Sequence, residues 1–334
     1  MLYLPTESID PNFYFALEEY LMSQIDRYQQ NIFMIWQTDL TVMLGNFQNV
    51  YSELNLPALE KDKVKITRRN TGGGTIFTDR GGWQYSFICP RRQGEQAHED
   101  IDFQRFMQDI IVALNKLDIP AEKNSRNDLA IKGKKISGNA QCFKGNATLH
   151  HGSLLFNSDL EAMVAYLCPA KHKLITKGIK SIRERTCNIK DYCPQDWTAV
   201  DFKEALVKVI LGAEVETLSL SQEDLAAVQE IKKDKFETWE WVYGRNPQFS
   251  LVKEKVWPGG LLKIHCQINQ GNVESLIFEG DFFTAHDLHQ VEEALVGQKF
   301  EKKAIEDFFQ RHYPQDLIHH ISNQDIIETL FLDL

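Results

Sequence analysis

Asn127-Asp128-Leu129-Ala130-Ile131-Lys132-Gly133-Lys134-Lys135-Ile136-Ser137-Gly138-Asn139-Ala140-Gln141 reads as two short runs joined at Lys132-Gly133-Lys134. A glycine in a short polar link between two such runs marks a β-hairpin. Strand side chains alternate between faces, so Lys135, Ser137 and Asn139 are expected on one face. An ammonium group and two hydrogen-bonding side chains then meet a single ligand. Taken alone, the segment also reads as a basic hairpin tip with solvated lysines.

Upstream, Arg68-Arg69-Asn70-Thr71-Gly72-Gly73-Gly74-Thr75-Ile76-Phe77 joins an expected strand over 64–69 to the next one. Consecutive glycines lack Cβ atoms, so backbone N–H groups can converge on an anion, and arginine supplies a planar fork for phosphate or carboxylate. This chemistry suits a nucleotide. The pattern is neither a P-loop nor a GxGxxG fingerprint, and a tight structural turn accounts for a glycine triplet equally well.

Further out, Asp10-Pro11 supplies an N-cap and a first-turn proline for a helix over about 12–25. Strands are expected at 31–37, 41–45, 83–88 and 148–156, and helices at about 57–62, 103–118, 159–167, 201–211 and 222–235. In 238–250, TWEWVYGRNPQFS, aromatics give way to Gly244, Asn246 and Pro247, the punctuation of a domain junction. Residues 1–245 and 246–334 are therefore expected as two units. Short strands at about 250–256, 261–268 and 273–279, then helices at about 286–296 and 302–311, make the second a small α+β unit.

Composition narrows the function classes. The 334 residues are 43% hydrophobic and 25% charged, as in ordinary globular proteins. A net charge of −10 argues against general nucleic-acid binding, which needs a local excess of Lys and Arg. The opening MLYLPTESIDP lacks the basic and apolar segments of a signal peptide, and no apolar run is long enough to span a membrane, so a cytoplasmic location is expected. Six cysteines without a CxxC pair suit reduced thiols. His286 and His289 share a helix face but lack a third ligand, so no structural zinc is expected.

RRNTGGGTIFTD (68–79) resembles the lipoate-binding loop of lipoate–protein ligases, and SRNDLAIKGKKISGNAQ (125–141) resembles that family's lysine motif. LHHGSLLFNSDL (149–160) resembles its downstream strand; LGNFQN (44–49), KHKLITKGIKSIRERT (171–186) and TWEWVYGRNPQFS also look familial. The resemblance implies an α/β (α+β) fold: a mixed-sheet catalytic domain related to biotin ligases and class II aminoacyl-tRNA synthetases, followed by a small α+β accessory domain. It implies that Lys135 bridges the lipoate carboxylate and the ATP α-phosphate. Arg69, with Gly72, Gly73, Gly74, Thr75, Ile76 and Phe77, falls where the family binds nucleotide and lipoate, and Asn127, Asp128, Ser137 and Gly138 fall in the lysine motif. The Asp128 carboxylate suits Mg²⁺. One departure stands out: the family commonly has His-Asp after the glycine loop, and this chain has Thr78-Asp79.

The implied activity is ATP-dependent formation of lipoyl-AMP, then transfer to a lysine of an acceptor. Acceptors of this family are the lipoyl domain of a 2-oxoacid dehydrogenase E2 and the glycine cleavage H protein. An octanoyl or lipoyl transferase of the same fold would carry a cysteine just before the lysine motif, where this chain has Ser125-Arg126-Asn127-Asp128. Biotin ligase and a non-catalytic lipoate-binding module are weaker alternatives. In 171–186, six cations face the single acidic Glu184; this basic island reads either as a solvated loop or as a cover for the adenylate and a lure for an acidic acceptor.

Overall fold

Trp83, Tyr85 and Phe87 point to one side of their strand and Gln84, Ser86 and Ile88 to the other, and all six are buried. Such a strand needs cover on both faces, and it lies near the middle of the main sheet. The computed structural model describes residues 1–48, 50–91, 101–167, 184–212, 214–243, 251–269 and 272–332. Its strands are β1 (Leu2–Tyr3), β2 (Ile32–Trp36), β3 (Thr41–Leu44), β4 (Lys65–Arg68), β5 (Ile76–Thr78), β6 (Trp83–Pro90) and β7 (Glu122–Lys123). They continue as β8 (Asp128–Ile131), β9 (Lys134–Lys144), β10 (Ala147–Leu154), β11 (Glu216–Thr217), β12 (Leu251–Trp257), β13 (Gly260–Asn269) and β14 (Asn272–Gly280).

Among the described residues, the main sheet runs in the order β11-β1-β2-β6-β10-β9-β8-β7. Its β11-β1-β2 edge is parallel and the rest antiparallel, so the sheet is mixed, as expected. Helix Phe103–Lys116 packs Phe106, Met107 and Ile110 onto the face bearing Tyr85 and Phe87. The opposite face is covered by helix Pro11–Ser23, whose N-cap Asp10 accepts from Asn12 N; such a cap is worth about 1 kcal/mol. A second sheet, β4-β3-β5, carries the glycine loop between β4 and β5.

The β8–β9 hairpin turns at Lys132 and Gly133, both left-handed with φ 51° and 74°, the pairing favoured by two-residue hairpins. Its register shifts: Leu129 faces Ser137 while Ala130 faces Lys135, which leaves Ile136 as an extra residue. This bulge breaks the strict alternation expected for Lys135, Ser137 and Asn139. Ile136 goes into the core and Ser137 is fully buried, while Lys135 stays half-exposed beside Gly138.

The C-terminal unit is the antiparallel meander β12-β13-β14, with helices Leu288–Leu295, Lys302–His312 and Asn323–Leu330 around its own core. The last helix was not anticipated; it begins at a capping box formed by Ser322 and Asp325. This unit docks on the first one: Phe282 stacks on Phe47 with ring centroids 5.0 Å apart, and Gly73 N donates to Phe282 O at 3.1 Å. The expected junction at Gly244–Pro247 and residues 171–183 of the basic island lie outside the described residues. Among the described residues, no helix is long and apolar enough to cross a membrane.

Candidate active site

A partly enclosed cavity of about 100 Å³ lies between the main sheet and the glycine loop. Its floor is a row of residues on neighbouring strands. Gly138 on β9 donates its N–H to Ser153 Oγ on β10 at 3.3 Å, Ser153 pairs with Gln84 on β6, and Gln84 pairs with Trp36 on β2. Phe15, Met43 and Ile76 give the cavity apolar walls, and Phe283 reaches in from the C-terminal unit.

Lys135 and Asn127 line one end of this cavity. Lys135 Nζ lies 2.8 Å from Asp128 Oδ1, and the lysine side chain is 42% exposed, so the charge remains accessible to a ligand. The carboxylate oxygen is itself buried and makes no aligned hydrogen bond. A Cβ on Gly138 would come within 3.2 Å of Lys135 Nζ, so glycine here leaves room for the ammonium group. Asn127 Nδ2 donates to Asn139 O at 2.8 Å, which ties the start of β8 to the middle of β9.

The glycine loop is held from beneath by Arg69. Its Nε donates to Thr71 Oγ1, its Nη1 to Met43 O, and its Nη2 to Gly72 O and Gly74 O, at 2.8–3.1 Å. Four of its five N–H donors are thus committed, and burial lowers the guanidinium pKa to about 10. The sequence reading made Arg69 an anion-binding fork; in the structure it organises the loop while still lining the cavity. Gly73 adopts φ 93°, and a Cβ on Gly45 would fall 2.0 Å from Gly73 O, so these two glycines are required by the fold. A Cβ at Gly74 meets nothing within 4 Å: packing does not demand glycine there, and its backbone is open to approach from the cavity.

The remaining sequence candidates separate. Thr75 and Ile76 line the cavity, with Thr75 Oγ1 donating to Gln48 Oε1 at 2.8 Å. Gly72 instead packs against Phe282 O and borders a larger open cleft of about 710 Å³ between the two units. Phe77 points into a separate core with Tyr166, because β5 turns alternate residues away from the cavity. Ser137 lies behind the floor and accepts from Asn139 Nδ2. Thr78, where the resemblance calls for histidine, is buried with its hydroxyl 2.7 Å from that of Thr38.

Sequence reasoning missed a buried polar chain beside the cavity. His151 Nε2 lies 2.7 Å from Thr71 Oγ1 and its Nδ1 3.0 Å from Glu18 Oε1. Ser86 Oγ donates to the same Glu18 oxygen at 2.6 Å and accepts from Trp36 Nε1 at 2.9 Å. This chain connects the glycine loop to the helix Pro11–Ser23 and the sheet floor. Neighbouring His150 is held neutral, its pKa driven well below the ordinary value by burial and by His151. The available signal was two adjacent histidines in the otherwise apolar LHHGSLLF strand.

The sequence matches the lipoyl protein ligase A/B catalytic domain over residues 10–211 and the bacterial lipoate protein ligase C-terminus over 246–330. Lipoate-protein ligase LplJ of Bacillus subtilis is 31% identical over 336 residues, spanning 99% of this chain and 100% of the relative. The chain therefore belongs to the lipoate–protein ligase family and is an enzyme of the ligase class. The fold matches that of P. falciparum LipL1, solved with lipoate, at TM-score 0.80 and 22% identity, covering 98% and 97% of the two chains. A crystal structure of lipoate-protein ligase A bound with ATP matches at TM-score 0.59 and 23% identity over 72% of this chain and 97% of the other.

Proposed function

We propose that this enzyme joins lipoate to ATP in the cavity bounded by Lys135, forming lipoyl-AMP, and then passes the lipoyl group to an acceptor lysine. The observation that carries the reading is the half-exposed Lys135 ammonium group at one end of a trough walled in part by Phe15, Met43, Ile76 and Phe283; among the described residues it is the only lysine lining that trough. A carboxylate is bound by the charge, and its acyl tail is taken along the trough. Membership of the family supports this assignment, and so does the ATP bound by its structural relative.

In the first step, a lipoate carboxylate oxygen attacks the α-phosphorus of ATP, a P–O bond forms, and pyrophosphate leaves. Two anions must approach for this to happen. Lys135 offsets their repulsion, and the backbone around Gly74 approaches the phosphates without a side chain in the way. The Asp128 carboxylate, whose Oδ1 faces the Lys135 ammonium group at 2.8 Å, is the residue that would hold a Mg²⁺ arriving with the nucleotide; the described residues form no cluster of three ligands that would hold a metal alone. Mg²⁺ held there would supply charge neutralisation to the phosphates. In the second step, a neutral lysine amine attacks the acyl carbon, the C–O bond to AMP breaks, and the amine proton is lost.

No protein nucleophile enters this scheme. Burial raises the thiols of Cys89 and Cys142 to about 12 and of Cys266 to about 11, which suppresses the thiolate at these three positions. Acceptors are lipoyl domains of a 2-oxoacid dehydrogenase E2 or a glycine cleavage H protein. Lipoate-dependent ATP–pyrophosphate exchange tests the first step, and intact-mass measurement on a panel of purified acceptor domains tests the second. Acyl transfer without ATP, with a hydroxylamine-sensitive acyl group on a cysteine, would move the assignment to the transferase alternative.

A further inference from the structure

The floor row of the cavity works as a ruler. Neighbouring strands lie roughly 4.8 Å apart, so Gln84 sits about 10 Å from Gly138, which neighbours the Lys135 ammonium group, and Trp36 one strand further. An extended eight-carbon acid held by its carboxylate at Lys135 therefore ends over Gln84. At this position the floor presents an amide instead of a hydrocarbon side chain. Gln84 is only 4% exposed, and its Oε1 has no hydrogen-bond partner. The indole N–H of its neighbour Trp36 is committed, donating to Ser86 Oγ.

We propose that Gln84 is a specificity-determining residue that selects acids bearing sulfur at the far end of the chain over the plain saturated acid of equal length. This rests on the ligase reading above. A thiol S–H of the reduced dithiol donates to Oε1, and the sulfurs of the cyclic disulfide accept from Nε2. The methyl end of octanoate does neither. It leaves the buried Gln84 carbonyl without a donor, and a site built for a polar partner favours the acid that supplies one over the analogue lacking it.

The test is ATP–pyrophosphate exchange with lipoate, dihydrolipoate and octanoate as alternative acids, in wild type, Gln84→Leu and Gln84→Met. The readout is the ratio of kcat/KM for each sulfur-bearing acid to that for octanoate. A ratio within one preparation is independent of the fraction of protein that is folded, and methionine keeps the length of glutamine should leucine disturb the strand. Wild type is expected to prefer the sulfur-bearing acids, and both variants to lower that preference about tenfold, largely by weakening use of the sulfur-bearing acids. A drop confined to dihydrolipoate identifies the thiol as the group read, and a drop for both acids identifies the sulfurs generally; either supports the inference. Wild-type exchange with ratios unchanged in both variants overturns it while leaving the ligase reading intact. Wild-type protein without exchange for any acid removes the ligase reading, and this inference with it.

Discussion

Lys135→Ala separates chemistry from stability. The side chain is 42% exposed and its partner Asp128 21%, and an ion pair this accessible is worth at most about 1 kcal/mol after screening. The residue packs no core, since the bulge sends Ile136 inward in its place. The unfolding midpoint should therefore fall by no more than about 4 °C in a chain of this size. Activity should respond differently. Removing one preorganised charge from a developing phosphoryl centre costs about 3–4 kcal/mol, so lipoate-dependent pyrophosphate exchange should fall by roughly 10²–10³-fold. Thermal unfolding and exchange are measured on the same preparation, with Lys134→Ala as the control on the adjacent residue at the start of β9. Exchange near wild type in Lys135→Ala refutes the assigned role. An equal loss in Lys134→Ala shows that charge at the hairpin tip matters and that the position in the cavity does not.

Arg69→Lys should destabilise the protein by about 3–5 kcal/mol in urea unfolding, because a buried four-donor hub is replaced by an ammonium that cannot reproduce its geometry; an unchanged midpoint would contradict the hub. Glu53 is raised from 4.5 to about 7, first by burial and then by Glu279 and Asp281 across the junction between the two units. The folded state thus holds this proton more tightly than the unfolded chain, and the associated stability is present below pH 4.5 and lost as pH rises through about 7. Glu53→Gln should match wild type near pH 4 and exceed it by about 3 kcal/mol above pH 8; parallel stability curves would refute the assignment. Conservative replacement of all six cysteines should leave ATP-dependent lipoylation working, though less stably, and an obligatory loss of turnover would point to a thioester. Removing the chain after about residue 248 strips Phe283 from the cavity, so adenylation should suffer more than transfer from supplied lipoyl-AMP; equal losses would remove the separate role of the small unit.

The sequence by itself determined most of the elements and the family. Alternation along Trp83–Ile88, the proline-capped first helix and the hairpin turn near Lys132-Gly133-Lys134 are local signals, and the structure follows them. The glycine loop and the lysine motif were legible for the same reason, because backbone freedom and charge are properties of residues. Only the tertiary structure decided what each residue does there. No local rule announces the bulge that buries Ile136 and Ser137 and leaves Lys135 beside Gly138, since a bulge answers to the partner strand. Arg69 became a loop organiser because Met43 O, Gly72 O and Gly74 O converge on it from separate elements. Glu18, Gln84 and His151 are far apart in sequence, and burial between the sheet and the first helix is what brings Gln84 and His151 to one cavity, with Glu18 behind His151. Local propensity is set within a few residues, whereas desolvation and hydrogen-bond partnership are set by whatever the fold places opposite.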